Sequence, residues 1–212
     1  MVKKVVIIGP ESTGKSTLCE MLAQHFNTLW CPEFAREYLL TNGSKYDFDD
    51  LKTIAMGQVA LEEEYVRMVK PPSRTAFLPY ARLGNPQGGS TLRSRADALD
   101  TFQPVNFSTN QLLFIDTDLY VMKVWCEYVF GDCHNWILRR IAERPYDLYL
   151  LCKPDLPWVA DTLREYPDEK PRKELYHIYR DILLNQPVSW AEINGSHNQR
   201  FELAKNAVMS LL

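Results

Sequence analysis

Gly9-Pro10-Glu11-Ser12-Thr13-Gly14-Lys15-Ser16-Thr17 satisfies every fixed position of the phosphate-binding loop pattern G-x-x-x-x-G-K-[ST]. Its flanks have the right character. Val5 to Ile8 is an apolar, β-branched run of the kind found in strands buried on both faces. Leu18, Leu22 and Phe26 follow at helical spacing. Strand, loop and helix therefore come in the order the mechanism of such a loop requires.

The residue types carry the chemistry. Gly9 and Gly14 let the backbone wrap a phosphate with no Cβ in the way. The loop amides of Gly9, Glu11, Ser12, Thr13, Gly14, Lys15, Ser16 and Thr17, with the positive end of the helix behind them, attract the anion. Lys15 would reach the β- and γ-phosphates of ATP, and the Ser16 hydroxyl would join the shell of Mg²⁺. Glu11 is out of keeping with an anion site, since phosphates repel a carboxylate. It must point away, pair with a cation, or face the acceptor substrate.

The chain has 212 residues, 46% of them hydrophobic, enough to bury one large core in a single domain spanning 1–212. A net charge of −3 argues against a broad nucleic-acid surface. Five cysteines, widely spaced and without a C-x-x-C pair, suggest neither a disulfide framework nor a zinc site. The apolar run at the N-terminus ends at Gly9, and no stretch reaches the 18 or so apolar residues of a membrane span. These features predict a soluble, cytoplasmic protein.

Beyond the first helix, Thr28 to Cys31 reads as the second strand, broken by Pro32, and Glu33 to Leu40 as a helix stopped at Asn42-Gly43. Ligands of α/β sheets bind beyond the carboxyl ends of the strands, which makes Glu33 and Arg36 candidate substrate contacts. An i, i+3 ion pair on a solvated face explains them equally well. Asp47 to Met68 reads as a long helix capped by Asp47, with Glu62 to Glu64 on a solvated face and Gln58 open to either a ligand or a surface role. Residues 73–110 are rich in Pro and Gly and lack periodicity, the mark of a flexible insertion that could bind a protein partner.

Gln111 to Asp116 is a strand that delivers a carboxylate to its carboxyl end. There Asp116 would act either as proton acceptor or in the Mg²⁺ shell. Asp118 is as well explained by capping the helix that follows, whose aromatics Tyr120, Trp125, Tyr128 and Phe130 are expected to lie mostly in the core, with one or two free to support a flat ring. Trp136 to Glu143 is a short helix and Leu148 to Cys152 a fourth strand. Residues 153–173 carry prolines and the cations Arg164, Lys170, Arg172 and Lys173, as expected of a lid that closes over a phosphoryl group. Pro171 opens a helix to Leu184 with Leu175, Ile178, Tyr179 and Ile182 inward; Val188 to Ile193 is the fifth strand, and a last helix carries Phe201, Ala204, Val208 and Leu211. Alternation of this kind predicts a three-layer α/β fold on a parallel sheet of strand order 2-3-1-4-5 with right-handed crossovers.

Several of these stretches together resemble the ribosylnicotinamide kinase domain of NadR-type proteins, a P-loop NTPase of the AAA-like ATPase kind. They are the phosphate loop, Glu33-Phe34-Ala35-Arg36-Glu37-Tyr38, Met56-Gly57-Gln58, Phe114-Ile115-Asp116-Thr117-Asp118, Trp158-Val159-Ala160-Asp161 and Leu163-Arg164. The resemblance covers nearly the whole chain outside 73–110. It implies a nucleoside-kinase-like fold with a lid and phosphorylation of the ribose 5′-hydroxyl of nicotinamide riboside by ATP with Mg²⁺. By the same resemblance Lys15 and the loop hold ATP, Ser16 and Asp116 serve the metal, Asp118, Glu33 and Arg36 hold the riboside, and Arg164 and Arg172 close over the phosphates. Trp125 and Tyr128 are the candidates to sandwich the cationic ring. Pro32 stands where an aromatic would complete that sandwich, and residues 73–110 are a second departure. Larger members also carry an adenylyltransferase domain that does not fit in these residues, so adenylyl transfer is expected of another protein. Two other readings use the same residues: a kinase or nucleotidase with a different acceptor, and a nucleotide-gated module that binds a partner through 73–110.

Overall fold

The computed structural model describes residues 1–69 and 111–212; the insertion expected at 73–110 lies outside the described residues. Each apolar run predicted as a strand is one: β1 (Lys3–Ile8), β2 (Leu29–Cys31), β3 (Leu112–Asp116), β4 (Leu148–Cys152) and β5 (Trp190–Ile193). The helices are α1 (Lys15–His25), α2 (Phe34–Asn42), α3 (Phe48–Val69), α4 (Leu119–Phe130), α5 (Asn135–Glu143), α6 (Glu169–Leu184) and α7 (His197–Met209). The strands pair in parallel in the order β2-β3-β1-β4-β5, as predicted.

Successive side chains of a strand point to opposite faces, so an all-apolar strand has to be covered on both. Val5 and Ile7 of β1, Phe114 of β3 and Leu150 of β4 pack under Leu18, Leu22 and Ala23 of α1 and Ala204 and Val208 of α7. The alternate residues Val6, Ile8, Ile115 and Leu151 pack on the other face against Val124 of α4 and Leu175, Tyr179 and Leu183 of α6. A third cluster joins α2, α3, α4 and α5 through Ala35, Ile54, Val59, Met122 and Ile137. In register, Ile7 lies beside Asp116, which brings the end of β3 next to the start of the phosphate loop. All five cysteines are buried and unbridged. Among the described residues no helix is long and apolar enough to cross a membrane.

Helix boundaries follow their caps. Asp47 accepts the Asp50 amide at 3.0 Å while Asp50 accepts the Asp47 amide at 2.9 Å, a reciprocal cap at the start of α3. Gly131, at φ 74°, ends α4 as predicted. Residues 169–173, expected at the end of the lid, already form the first turn of α6. Pro171 is tolerated there because the amides of a first turn have no helical partner. The inner face of α6 is turned from the expected one. Arg172, Tyr176 and Leu183 are buried with Leu175 and Tyr179, and Ile178 and Ile182 only flank the core.

Three expectations on α3 and α4 are corrected. Glu62 is not on a solvated face: it is 1% exposed, and its carboxylate takes Lys4 Nζ at 3.2 Å, Arg144 Nη2 at 3.0 Å and the Tyr146 hydroxyl at 2.9 Å. Three partners offset the cost of removing that charge from water, and Glu63 and Glu64 remain exposed as expected. Gln58 is neither a ligand contact nor a surface residue. It is buried, accepts the Phe34 amide at 2.7 Å and donates to Pro32 O at 3.3 Å, fastening the start of α2 to α3. Beside it Gly57 leaves room for the Phe34 ring, which a Cβ there would meet at 2.1 Å. The α4 aromatics lie at the rim rather than in the core, which takes Leu119, Met122, Val124 and Cys126 instead.

Candidate active site

The loop between β1 and α1 is shaped by contacts a side chain would spoil. A Cβ on Gly9 would sit 2.6 Å from the carbonyl oxygen of Cys152 at the end of β4, and Gly14, at φ 75°, is the N-cap of α1. The Thr13 hydroxyl closes the turn by donating to Pro10 O at 2.8 Å. Lys15 Nζ folds back over the loop to donate to the carbonyls of Gly9 at 3.0 Å and Pro10 at 2.9 Å. Ser16 Oγ donates to Asp116 Oδ2 at 2.5 Å, while Asp116 Oδ1 is buried without a partner among the described residues. Burial raises the Asp116 pKa, opposed by the Lys15 charge and the Ser16 hydrogen bond.

A hydroxyl beside a carboxylate with one unsatisfied buried oxygen is a donor set that fits Mg²⁺, which needs few protein ligands when phosphates supply the others. Ser16 and Asp116 would hold it. Among the described residues there is no cluster of three or more His, Cys, Asp or Glu suited to a metal.

A cavity of about 500 Å³ runs from this loop between α2, α4, α6 and the lid. Of the residues singled out in the sequence, Gly9, Glu11, Ser12, Thr13, Gly14, Lys15, Ser16, Thr17, Glu33, Arg36, Asp116, Trp125, Tyr128 and Arg164 all line it. Glu33 is the N-cap residue of α2. Burial pushes its pKa up to about 7, with the Asp116 charge adding to the rise and Lys15 and Arg36 opposing it. Arg36 does not form the i, i+3 pair with Glu33. It reaches the lid, where Nη1 and Nη2 grip Asp161 at 3.3 and 2.8 Å.

The lid is docked on the phosphate loop. Ser12 Oγ accepts the Val159 amide at 3.0 Å and a long contact of 3.4 Å from Arg164 Nη1, which also donates to Val159 O. The Glu11 carboxylate accepts the amides of Glu165 at 3.0 Å and Tyr166 at 3.2 Å, so it turns away from the loop's interior. Burial still raises its pKa, against those two hydrogen bonds.

Two expected site residues lie elsewhere. Asp118 is 2% exposed and outside the cavity lining. Its carboxylate accepts the Tyr120 amide at 3.0 Å as an N-cap and the Tyr149 hydroxyl at 2.8 Å, and burial pushes its pKa up to about 7. Capping accounts for it. Arg172 is 6% exposed and also outside the lining; its guanidinium lies 5.4 Å from the Trp158 ring centroid, and that of Arg164 lies 5.8 Å from the same ring. From the inward face of α6 the lining takes Leu175 and Tyr179 but not Arg172, which sits in the first turn of the helix.

Sequence reasoning passed over several residues. Thr117, Glu165, Tyr166 and Tyr179 line the cavity. Arg200, 2% exposed, holds the loop from behind, donating to Thr13 O at 3.1 Å, Gly195 O at 2.8 Å and Lys153 O at 2.9 Å, and it pairs with Asp155. One signal for it was available: residue 200 shares the inner face of α7 with Ala204 and Val208. Tyr46, in the α2–α3 loop, accepts from Trp125 Nε1 at 2.9 Å and donates to Glu165 Oε2 at 3.1 Å; nothing in its sequence context marked it.

Comparison with known proteins finds similar chains. The chain is 26% identical over 204 residues to the trifunctional NAD biosynthesis/regulator protein NadR of Escherichia coli K12, and equally to that of Salmonella typhimurium. The match covers 94% of this chain and 40% of those relatives, so the chain spans about two fifths of their length. Crystal structures of NadR proteins share the fold. One in complex with NR superposes with a TM-score of 0.65 and one in complex with NAD and AMP-PNP with 0.62, each at 21% identity, covering 99% of this chain and 51% and 49% of theirs. A family model described as an AAA domain matches residues 4–76 and 92–200, and by that match the protein belongs to this AAA-domain family of phosphate-loop proteins.

Proposed function

We propose that this chain transfers the γ-phosphoryl group of ATP to the ribose 5′-hydroxyl of nicotinamide riboside, giving nicotinamide mononucleotide and ADP. The observation that carries the reading is that one cavity is lined by Lys15, Ser16 and Asp116 together with Glu33, Trp125 and Tyr128. An ATP-dependent phosphotransferase acting on a small molecule needs that juxtaposition. Similarity to NadR over 94% of the chain supports the choice of riboside.

In this reading Lys15 leaves the loop carbonyls for the β- and γ-phosphates, beside the loop amides. Ser16 and Asp116 would hold Mg²⁺, which would supply positive charge to offset that of the phosphates. Asp116 is committed to Ser16, Glu11 to the lid amides and Glu165 to the Tyr46 hydroxyl, which leaves Glu33 as the proton acceptor on the acceptor side. As the 5′-oxygen bonds to the γ-phosphorus, the bond from that phosphorus to the departing ADP oxygen breaks and the hydroxyl proton passes to Glu33. Arg164 lines the cavity from the lid and offsets charge on the transferring group, while the docked lid excludes water. Arg36, through Asp161, keeps the lid over the acceptor end.

The test is ADP release from Mg-ATP with a panel of nucleosides, beside Lys15→Ala and Asp116→Asn. Turnover with nicotinamide riboside that drops by about 100-fold or more in both variants is the expected result. Turnover with a different nucleoside would keep the kinase and replace the acceptor; turnover with none would remove the kinase reading.

A further inference from the structure

At its acceptor end the cavity has a wall of rings and a lid carboxylate. Trp125 and Tyr128 of α4 and Tyr166 of the lid line it, Tyr166 standing edge-on to Tyr128 with centroids 5.7 Å apart. Glu165 lines the same space and is held from two sides. Its amide is fixed to Glu11 at 3.0 Å, and its Oε2 accepts the Tyr46 hydroxyl at 3.1 Å. That hydroxyl in turn accepts the indole N–H of Trp125 at 2.9 Å, and the Tyr46 ring stands edge-on to Trp125 at 4.9 Å. One hydroxyl thus ties the lid carboxylate to the ring that supports the acceptor. The cations nearby have other engagements: Arg36 is gripped by Asp161, and Arg164 lies against Ser12 and Val159.

We propose that Glu165 is a specificity residue of the acceptor site, selecting an acceptor whose flat ring carries a positive charge over an uncharged ring of the same shape. The inference rests on the riboside-kinase reading and deepens it. A neutral ring gains stacking on Trp125 and Tyr128 and nothing from the carboxylate. A cationic ring gains attraction to the aromatic faces and to the Glu165 charge, both stronger once the lid has excluded water. Because Tyr46 already orients the carboxylate, little side-chain entropy is lost when the acceptor binds.

The experiment compares kcat/KM for nicotinamide riboside with that for its reduced, uncharged dihydropyridine form at saturating Mg-ATP, in the wild type, Glu165→Gln, Glu165→Asp and Tyr46→Phe. Glu165→Gln is expected to lower the cation-to-neutral ratio about five- to tenfold through KM for the cation, with KM for ATP unchanged. Glu165→Asp keeps most of the ratio. Tyr46→Phe, which frees the carboxylate without neutralising it, lowers the ratio about two- to threefold. A wild-type preference left intact in Glu165→Gln overturns the inference and leaves the kinase reading standing; a wild type that phosphorylates neither riboside overturns both.

Discussion

Glu33 shows what one residue costs and does. A carboxylate enclosed beside Asp116 has its pKa pushed up to about 7, where a proton acceptor is well matched to neutral pH. The same rise destabilises the fold. The folded state holds a proton that the unfolded state has released above about pH 4.3, so stability falls as pH climbs from there to about 7, and the deficit persists above it. Glu33→Gln removes the charge and its penalty. The variant is expected to lose the rise of kcat/KM with pH through about 7, with turnover down about 100-fold, while being more stable than the wild type at pH 8 by about 1–3 kcal/mol. Rate profiles from pH 5.5 to 9 and thermal melts at pH 5 and 8 check both halves; a variant melting below the wild type at pH 8 would count against the enclosure described for Glu33.

Among the elements, the lid separates two arginines that sequence position treats alike. Arg164 reaches the cavity and the loop; Arg172 lies on the inner face of α6 against Trp158, with Nε and Nη1 unpartnered among the described residues. A buried cation with two unpartnered nitrogens and no ion pair among the described residues is costly to bury, and an apolar replacement of similar length is often neutral or favourable. Arg172→Met is therefore expected to keep kcat within about twofold and the melting temperature at or above that of the wild type. Arg164→Met should lower kcat about tenfold or more with the melting temperature unchanged. Equal losses of kcat in both variants would restore Arg172 to the phosphate site. That residues 153–173 are rich in prolines and cations after β4 was legible, although 169–173 belong to α6. Which of those cations faced inward was not, because that depends on the rotation of α6 about its own axis.

On the scale of the whole molecule, the buried Glu62 cluster joins α3, β1 and the segment before β4, with partners 58, 82 and 84 positions away in sequence. Removing Glu62 leaves Lys4 and the Tyr146 hydroxyl without their carboxylate and Arg144 with Glu63 alone. Glu62→Ala is expected to cost about 3–5 kcal/mol in urea or thermal unfolding. Glu63→Ala, on the exposed side of the same turn, should cost less than about 1 kcal/mol. Similar losses for the two would contradict the burial of Glu62.

The layers, the strand order and the phosphate loop were legible because each rests on short-range signals: β-branched runs, helical spacing, and a nine-residue stretch whose glycines and lysine have one common use. The placement of Asp116 at the end of β3, beside the phosphate loop, was legible as well, since it closes an apolar run. The tertiary structure alone decided which charged and polar residues face the cavity and which complete the interior. Asp118 went to a cap and Tyr149, Gln58 to the start of α2, Glu62 and Arg200 to the interior, and Tyr46 to the link between Trp125 and the lid. The physical reason is that a local pattern states only how apolar a position is. A polar side chain takes the partner that desolvation leaves within hydrogen-bond reach, and in this chain that partner is often many tens of residues away.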